Sequence, residues 1–163
     1  MAKPTTYATP ICLILSLLVI VGIVFGFLNH NPLIVVALLL PVVIYEVYRT
    51  EGDSTRWASW MLLLLIIAEL VCIIFNVNYD LAKWVGAETI YAVGYYMPLG
   101  DIKIIFPVLI IIFSLTLFFR TNGKYTKWLA VLIFISAIAT VYLIDPNILK
   151  SLLHLGTSSN LYY

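Results

Sequence analysis

Apolar residues run along this chain in five long blocks, each broken only by short segments that hold nearly every charge. A bilayer core of about 30 Å takes roughly 20 helical residues, within a range of about 17 to 25. The blocks at 10–28, 32–48, 57–77, 102–119 and 128–144 meet that length, the second and fifth at its lower bound. The pattern predicts an all-α, polytopic transmembrane helix bundle of five spans, with four spans as the alternative if one weak block stays outside the membrane. With connections this short, residues 1–163 read as a single integral membrane domain.

Two polar-apolar segments on one side of that bundle look interfacial. Residues 79–97 form the longest connection, too polar at Lys83 and Glu88 for an easy span, with Trp84, Tyr91 and Tyr95 at helical spacing. Such rings with a polar tip settle at the headgroup level. After the last span, Asp145 is an N-cap candidate with Pro146 at the first helical position. Ile148, Leu149, Leu152 and Leu153 then make an apolar stripe before Gly156, which predicts a short surface helix over 146–155.

Composition agrees with lipid as the solvent, since 63% of the residues are hydrophobic and only 10% are charged, well outside the usual soluble range. Net charge is +1 with no basic run, so nothing points to nucleic acid. The first block is long for a secretion signal and is followed by Phe25-Gly26-Phe27-Leu28-Asn29, which offers no small-x-small cleavage site, so a retained helix is expected. Five crossings place Lys3, Arg49, Arg56, Arg120, Lys124 and Lys127 on one side and Lys83, Lys103 and Lys150 on the other, six against three. That asymmetry predicts a cytoplasmic N-terminus and an outer C-terminus in a cell membrane, with an archaeal or bacterial cytoplasmic membrane as the expectation.

Within the spans, Glu69 stands out. It lies twelve residues into the third block, where an acidic side chain costs about 2.5 to 3.5 kcal/mol to insert, and so should be turned away from lipid. Cys72, Asn76 and Asp80 follow at i+3, i+7 and i+11, a polar line on one helix face from mid-membrane to the outer surface. Such a line suits a proton or cation relay. It equally suits interhelical hydrogen-bonding that only holds helices together. No Lys, Arg or His lies at matching depth, so the partner of Glu69 is expected to be a hydroxyl, a backbone carbonyl or a group on another subunit. The hydroxyls on offer are Ser16, Ser114, Thr116, Ser136 and Thr140.

Gly22 and Gly26 are spaced for close helix approach, as are Ser136 and Thr140, and all four are read as helix-packing residues. Pro41 interrupts the second span and frees a carbonyl near Ala37, a kink that neighbouring helices can satisfy. Pro107, near the start of the fourth block, does not match it, so inverted repeats are not expected. Cys12 and Cys72 sit about 20 Å apart along the membrane normal, too far for a disulfide, and read as small core fillers. His30 and His154 are weak metal candidates on the outer side, without the spacing of a metal motif. No catalytic constellation and no cofactor motif is present, which leans away from an enzyme. The function expected first is an accessory or structural subunit of a larger membrane complex, packing through its transmembrane helices; the alternative is a small homo-oligomeric transporter or channel using Glu69 as a proton or cation relay. The partners implied are the bilayer and other membrane subunits or further copies of the chain.

Overall fold

The computed structural model describes residues 7–50, 53–77, 90–92, 95–97 and 102–146. Five helices follow the apolar blocks: α1 (Ala8–Asn29), α2 (Pro32–Arg49), α3 (Asp53–Ile74), α4 (Ile102–Arg120) and α5 (Lys124–Ile144). All five are long and apolar enough to cross a membrane, and together they form the all-α bundle of a multi-pass membrane protein. Successive helices pack side by side from α1 to α5, α5 closes back on α1, and α2 also packs against α5 through the middle. The core lies along α2, where Leu39, Val42 and Val43 meet Leu62 and Ile66 of α3 and Leu129 and Ile133 of α5. Leu13, Ile14, Leu17, Ile20 and Val24 of α1 point outward, a continuous apolar face suited to lipid or a neighbouring helix rather than to water.

The turns explain where helices stop. His30 takes a left-handed conformation, φ 49°, while its N–H reaches the Phe27 carbonyl and the Asn31 N–H reaches back to Gly26. That is a Schellman motif, which satisfies the last carbonyls of α1. Asn31 also serves the next helix: its Oδ1 accepts from the Leu33 N–H at 3.0 Å, with Pro32 in the first turn of α2. The same motif ends α3. Asn76 has φ 48°, its N–H donates to the Ile73 carbonyl at 3.2 Å, and the Val77 N–H donates to Cys72 at 2.9 Å. Asn is among the few non-glycine residues that accept this conformation readily. α3 therefore ends at Ile74, and its span is Thr55–Ile74 rather than 57–77.

A second correction concerns residues 79–97, expected as an interfacial helix. Ile90–Ala92 and Tyr95–Met97 are instead β1 and β2, paired antiparallel with Ile90 opposite Met97, Tyr91 opposite Tyr96 and Ala92 opposite Tyr95. Tyr91 and Tyr95 thus do not share a helical face. Aromatic and β-branched residues fit a pleated ribbon. Residues 79–89, with Trp84, lie outside the described residues, as does the expected helix over 146–155 beyond Pro146.

Polar side chains tie the outer helices to the core at the end where α1 begins. Trp128 Nε1 donates to Ser16 Oγ at 2.9 Å, and Ser16 in turn donates to the Cys12 carbonyl at 2.6 Å. Thr9 Oγ1 and the Tyr125 hydroxyl share a 2.8 Å hydrogen bond. The Arg49 guanidinium lies 4.6 Å from the centre of the Tyr125 ring, a cation–π contact that holds its charge over the aromatic face.

Candidate functional site

Thr55, Ala58, Ser59, Leu62, Leu65, Ile66 and Glu69 are buried along α3 from Thr55 onward, and their three-and-four spacing draws a single stripe along the helix. Glu69 falls on that stripe by register and is only 2% exposed. Its Oε1 has no hydrogen-bond partner. The early stop at Ile74 also changes its depth: Glu69 lies five residues from that end, about 7.5 Å at 1.5 Å per residue. It belongs to the third of α3 nearest Asn76, not to the middle of the span.

The polar line expected beyond Glu69 breaks at the cap. Cys72 remains on the helix, a half-buried free thiol. Asn76 leaves the helical face, because its backbone turns left-handed, and its Oδ1 accepts from Lys103 Nζ of α4 at 2.7 Å. The chain thereby places a cation and an amide at the end of the α3–α4 interface closer to Glu69. Asp80 lies outside the described residues.

The hydroxyls offered as partners for Glu69 are all engaged within their own helices. Ser114 donates to Ile111, Thr116 to Ile112, Ser136 to Leu132 and Thr140 to Ser136, each to a backbone carbonyl at 2.8 or 2.9 Å. Ser16 does the same. The protons of these hydroxyls are thereby committed to backbone carbonyls, and none of them donates to the carboxyl.

Gly22 and Gly26 lie against α2. A Cβ on Gly22 would sit 3.1 Å from Leu38 Cβ, and one on Gly26 would sit 2.4 Å from Val35 Cγ2 and 3.3 Å from Leu143 Cδ1 of α5. Ser136 and Thr140 are buried on α5 beside Ile133 and Ala137. His30 is the left-handed cap of α1, and among the described residues no group of three His, Cys, Asp or Glu could hold a metal; His154 lies outside them. Because the position rewards a left-handed residue, His30→Gly is expected to leave thermal stability nearly unchanged. His30→Val should lower it by about 1 kcal/mol, as measured by thermal denaturation in detergent.

Sequence reasoning missed a second buried acid. Glu46 of α2 has 0% exposure, although it sits only three residues before Arg49, near the end of the second block. Helix register held the clue: Val35, Val36, Leu39, Val42 and Val43 put it on the buried face of α2. Thr50 Oγ1 donates to Glu46 Oε1, and Ser59 Oγ of α3 lies 3.0 Å from the same oxygen. Ser59 Oγ also lies 3.1 Å from the Thr55 carbonyl. Oε2 has no hydrogen-bond partner. Among the described residues the bundle thus encloses two carboxyl groups, each with a buried oxygen that has no hydrogen-bond partner. Ser59 and Glu69 are ten residues apart on α3, about 15 Å, and Leu62 and Ile66, both fully buried, separate them.

Fold and site define a five-span membrane bundle with two sheltered acids among the described residues. No family model, curated protein or solved structure matches the chain.

Proposed function

We propose that this chain is a small membrane transporter or channel in which Glu69 takes up and releases a proton or small cation. The observation that carries this reading is the carboxyl of Glu69, 2% exposed with Oε1 unpartnered. A side chain kept only to hold helices together would be hydrogen-bonded to one of them. An intramembrane acid without such a bond has the character of a pathway residue. Five short helices hardly enclose a path by themselves, which favours a homo-oligomer. The Lys and Arg asymmetry supports a cell-membrane protein with its N-terminus in the cytoplasm and its C-terminus outside; labelling each terminus from one side tests that.

Glu69→Gln keeps the shape and removes the titrating group. In proteoliposomes carrying an internal pH dye and a potassium diffusion potential, wild-type protein is expected to pass protons or the coupled cation, and the variant to lose at least tenfold of that flux. Flux that Glu69→Gln leaves intact would defeat the reading.

A second reading is an accessory subunit packed inside a larger membrane complex. It is supported by an apolar groove of about 380 Å³ between α4 and α5, whose rim residues Leu115, Val131 and Ile135 are exposed, and by the outward apolar face of α1. Purification in mild detergent at native expression level decides it: companion polypeptides in fixed ratio support the reading, and an 18.4 kDa chain alone or in multiples of itself counts against it.

A further inference from the structure

We propose that the groove between α4 and α5 takes one acyl chain of an anionic phospholipid, whose phosphate is held by Lys124 and Lys127 at the mouth of the groove. The inference rests on the five-span fold and uses neither Glu69 nor the reading given to it.

The groove encloses about 380 Å³ between Leu115 and Phe118 of α4 and Val131, Phe134 and Ile135 of α5. Among the described residues Ser114 is its one polar lining residue, and the Ser114 hydroxyl is committed to the Ile111 carbonyl at 2.8 Å. The walls therefore offer hydrocarbon contact alone. Along α4 they run from Ser114 to Phe118, about 6 Å at 1.5 Å per residue. A cleft that short, between two helices packed directly on each other, suits a single hydrocarbon chain, because a helix with its side chains is about 10 to 12 Å across.

Charge at one end distinguishes this groove from a bare apolar face. Lys124, Lys127, Val131 and Phe134 recur at i, i+3, i+7 and i+10, so both lysines share the groove's face of α5. Lys127 Nζ stands 5.6 Å from the centre of the Phe118 ring, a cation–π contact that keeps the ammonium on a wall of the groove. Lys124 lies one turn further out and is exposed. No Asp or Glu occurs anywhere in 102–144, so neither helix brings an anion of its own to these charges. An apolar slot that opens onto two ammonium groups matches a hydrocarbon tail and a phosphate head together, and basic pockets between transmembrane helices bind such headgroups. A second copy of the chain matches only the slot: the outward face of α1, at Leu13, Leu17, Ile20 and Val24, belongs to a segment, 8–29, that holds no acid and would leave both lysines without a counter-charge.

The test is native mass spectrometry of the chain purified in detergent and given equal amounts of phosphatidylglycerol and phosphatidylcholine with the same acyl chains. One phosphatidylglycerol per chain is expected to survive detergent stripping, in preference to phosphatidylcholine. Lys124→Gln and Lys127→Gln should each weaken that preference about fivefold, the share of one basic side chain at a lipid headgroup. Val131→Trp, on the exposed rim, fills the groove, keeps both lysines and should remove retained lipid of either kind. Arg56→Gln, which removes an exposed charge at the start of α3 and touches no lining residue, should change nothing. Inorganic phosphate in large excess should not displace the lipid. Elution profile and circular dichroism separate lost binding from lost fold, and the lysine variants carry the test if Val131→Trp does not fold. Equal retention of the two lipids, a preference that survives both lysine variants, retention that Val131→Trp leaves intact, or displacement by phosphate alone overturns the proposal. So does release of a companion polypeptide or a second copy by Val131→Trp, which would make the groove a protein contact.

Discussion

Replacing Gly26 with valine is expected to destabilise the bundle by about 1 to 3 kcal/mol, the usual cost of forcing extra methyl groups into a packed interior. A Cβ at this position meets Val35 Cγ2 at 2.4 Å, far inside van der Waals contact. Val35 cannot simply turn aside. It is β-branched on a helix, so one χ1 rotamer dominates, and it is 2% exposed. Nor can α1 move away from α2 without disturbing α5, because Leu143 Cδ1 stands 3.3 Å from the same point. Backbone shift is all that remains, and Gly26 is also the residue whose carbonyl accepts the Asn31 N–H in the turn. Gly22→Ala should cost less, since its added methyl meets Leu38 Cβ at 3.1 Å and Leu38 Cδ1 at 3.2 Å, and a shift of a few tenths of an ångström between α1 and α2 relieves both. Thermal denaturation in detergent should rank wild type above Gly22→Ala, and Gly22→Ala well above Gly26→Val. Equal loss at the two positions would show that α1 does not rest on α2 through Gly26.

The features legible in the sequence are those that lipid dictates. Twenty apolar residues in a row have one low-energy arrangement in hydrocarbon, a helix that satisfies its own backbone, so all five spans can be placed from hydropathy alone. Their ends are harder, because Phe75 and Val77 continue the apolar run past the point where α3 stops. The stop is made by the backbone of Asn76, and φ leaves no mark on hydropathy. Moving that end by three residues shifts Glu69 from mid-span to the third of α3 nearest Asn76 and takes Asn76 off its face. The hairpin at Ile90–Met97 escapes a periodicity argument because tyrosines four apart fit a helix and a ribbon alike, and only Gly94 between the strands argues for the ribbon. Glu46 is easily passed over because proximity to Arg49 suggests a water-facing helix end. Its register with Leu39, Val42 and Val43 on the buried face of α2 is the stronger signal, and position along a span is no substitute for position around it.

Glu69→Met is expected to make the bundle more stable by about 1 to 3 kcal/mol while removing its ion flux. Methionine has similar volume and length, and its flexible thioether adapts to the space between α3 and its neighbours. What it removes is a carboxyl whose Oε1 is buried without a partner, and replacing an unsatisfied polar group by an apolar one of similar shape returns the desolvation cost of that group. Glu69→Gln makes the necessary comparison. The amide is still polar and still short of partners, so it should lose flux without gaining stability. The two readings of Glu69 then differ in sign. If the carboxyl were holding helices together, methionine would break a buried hydrogen bond and lower the denaturation temperature; if the carboxyl is a strained group kept for ion transfer, methionine raises it. Measuring denaturation and flux on the same purified samples resolves the two, because only an acid retained at a cost to stability yields a variant that is both firmer and silent.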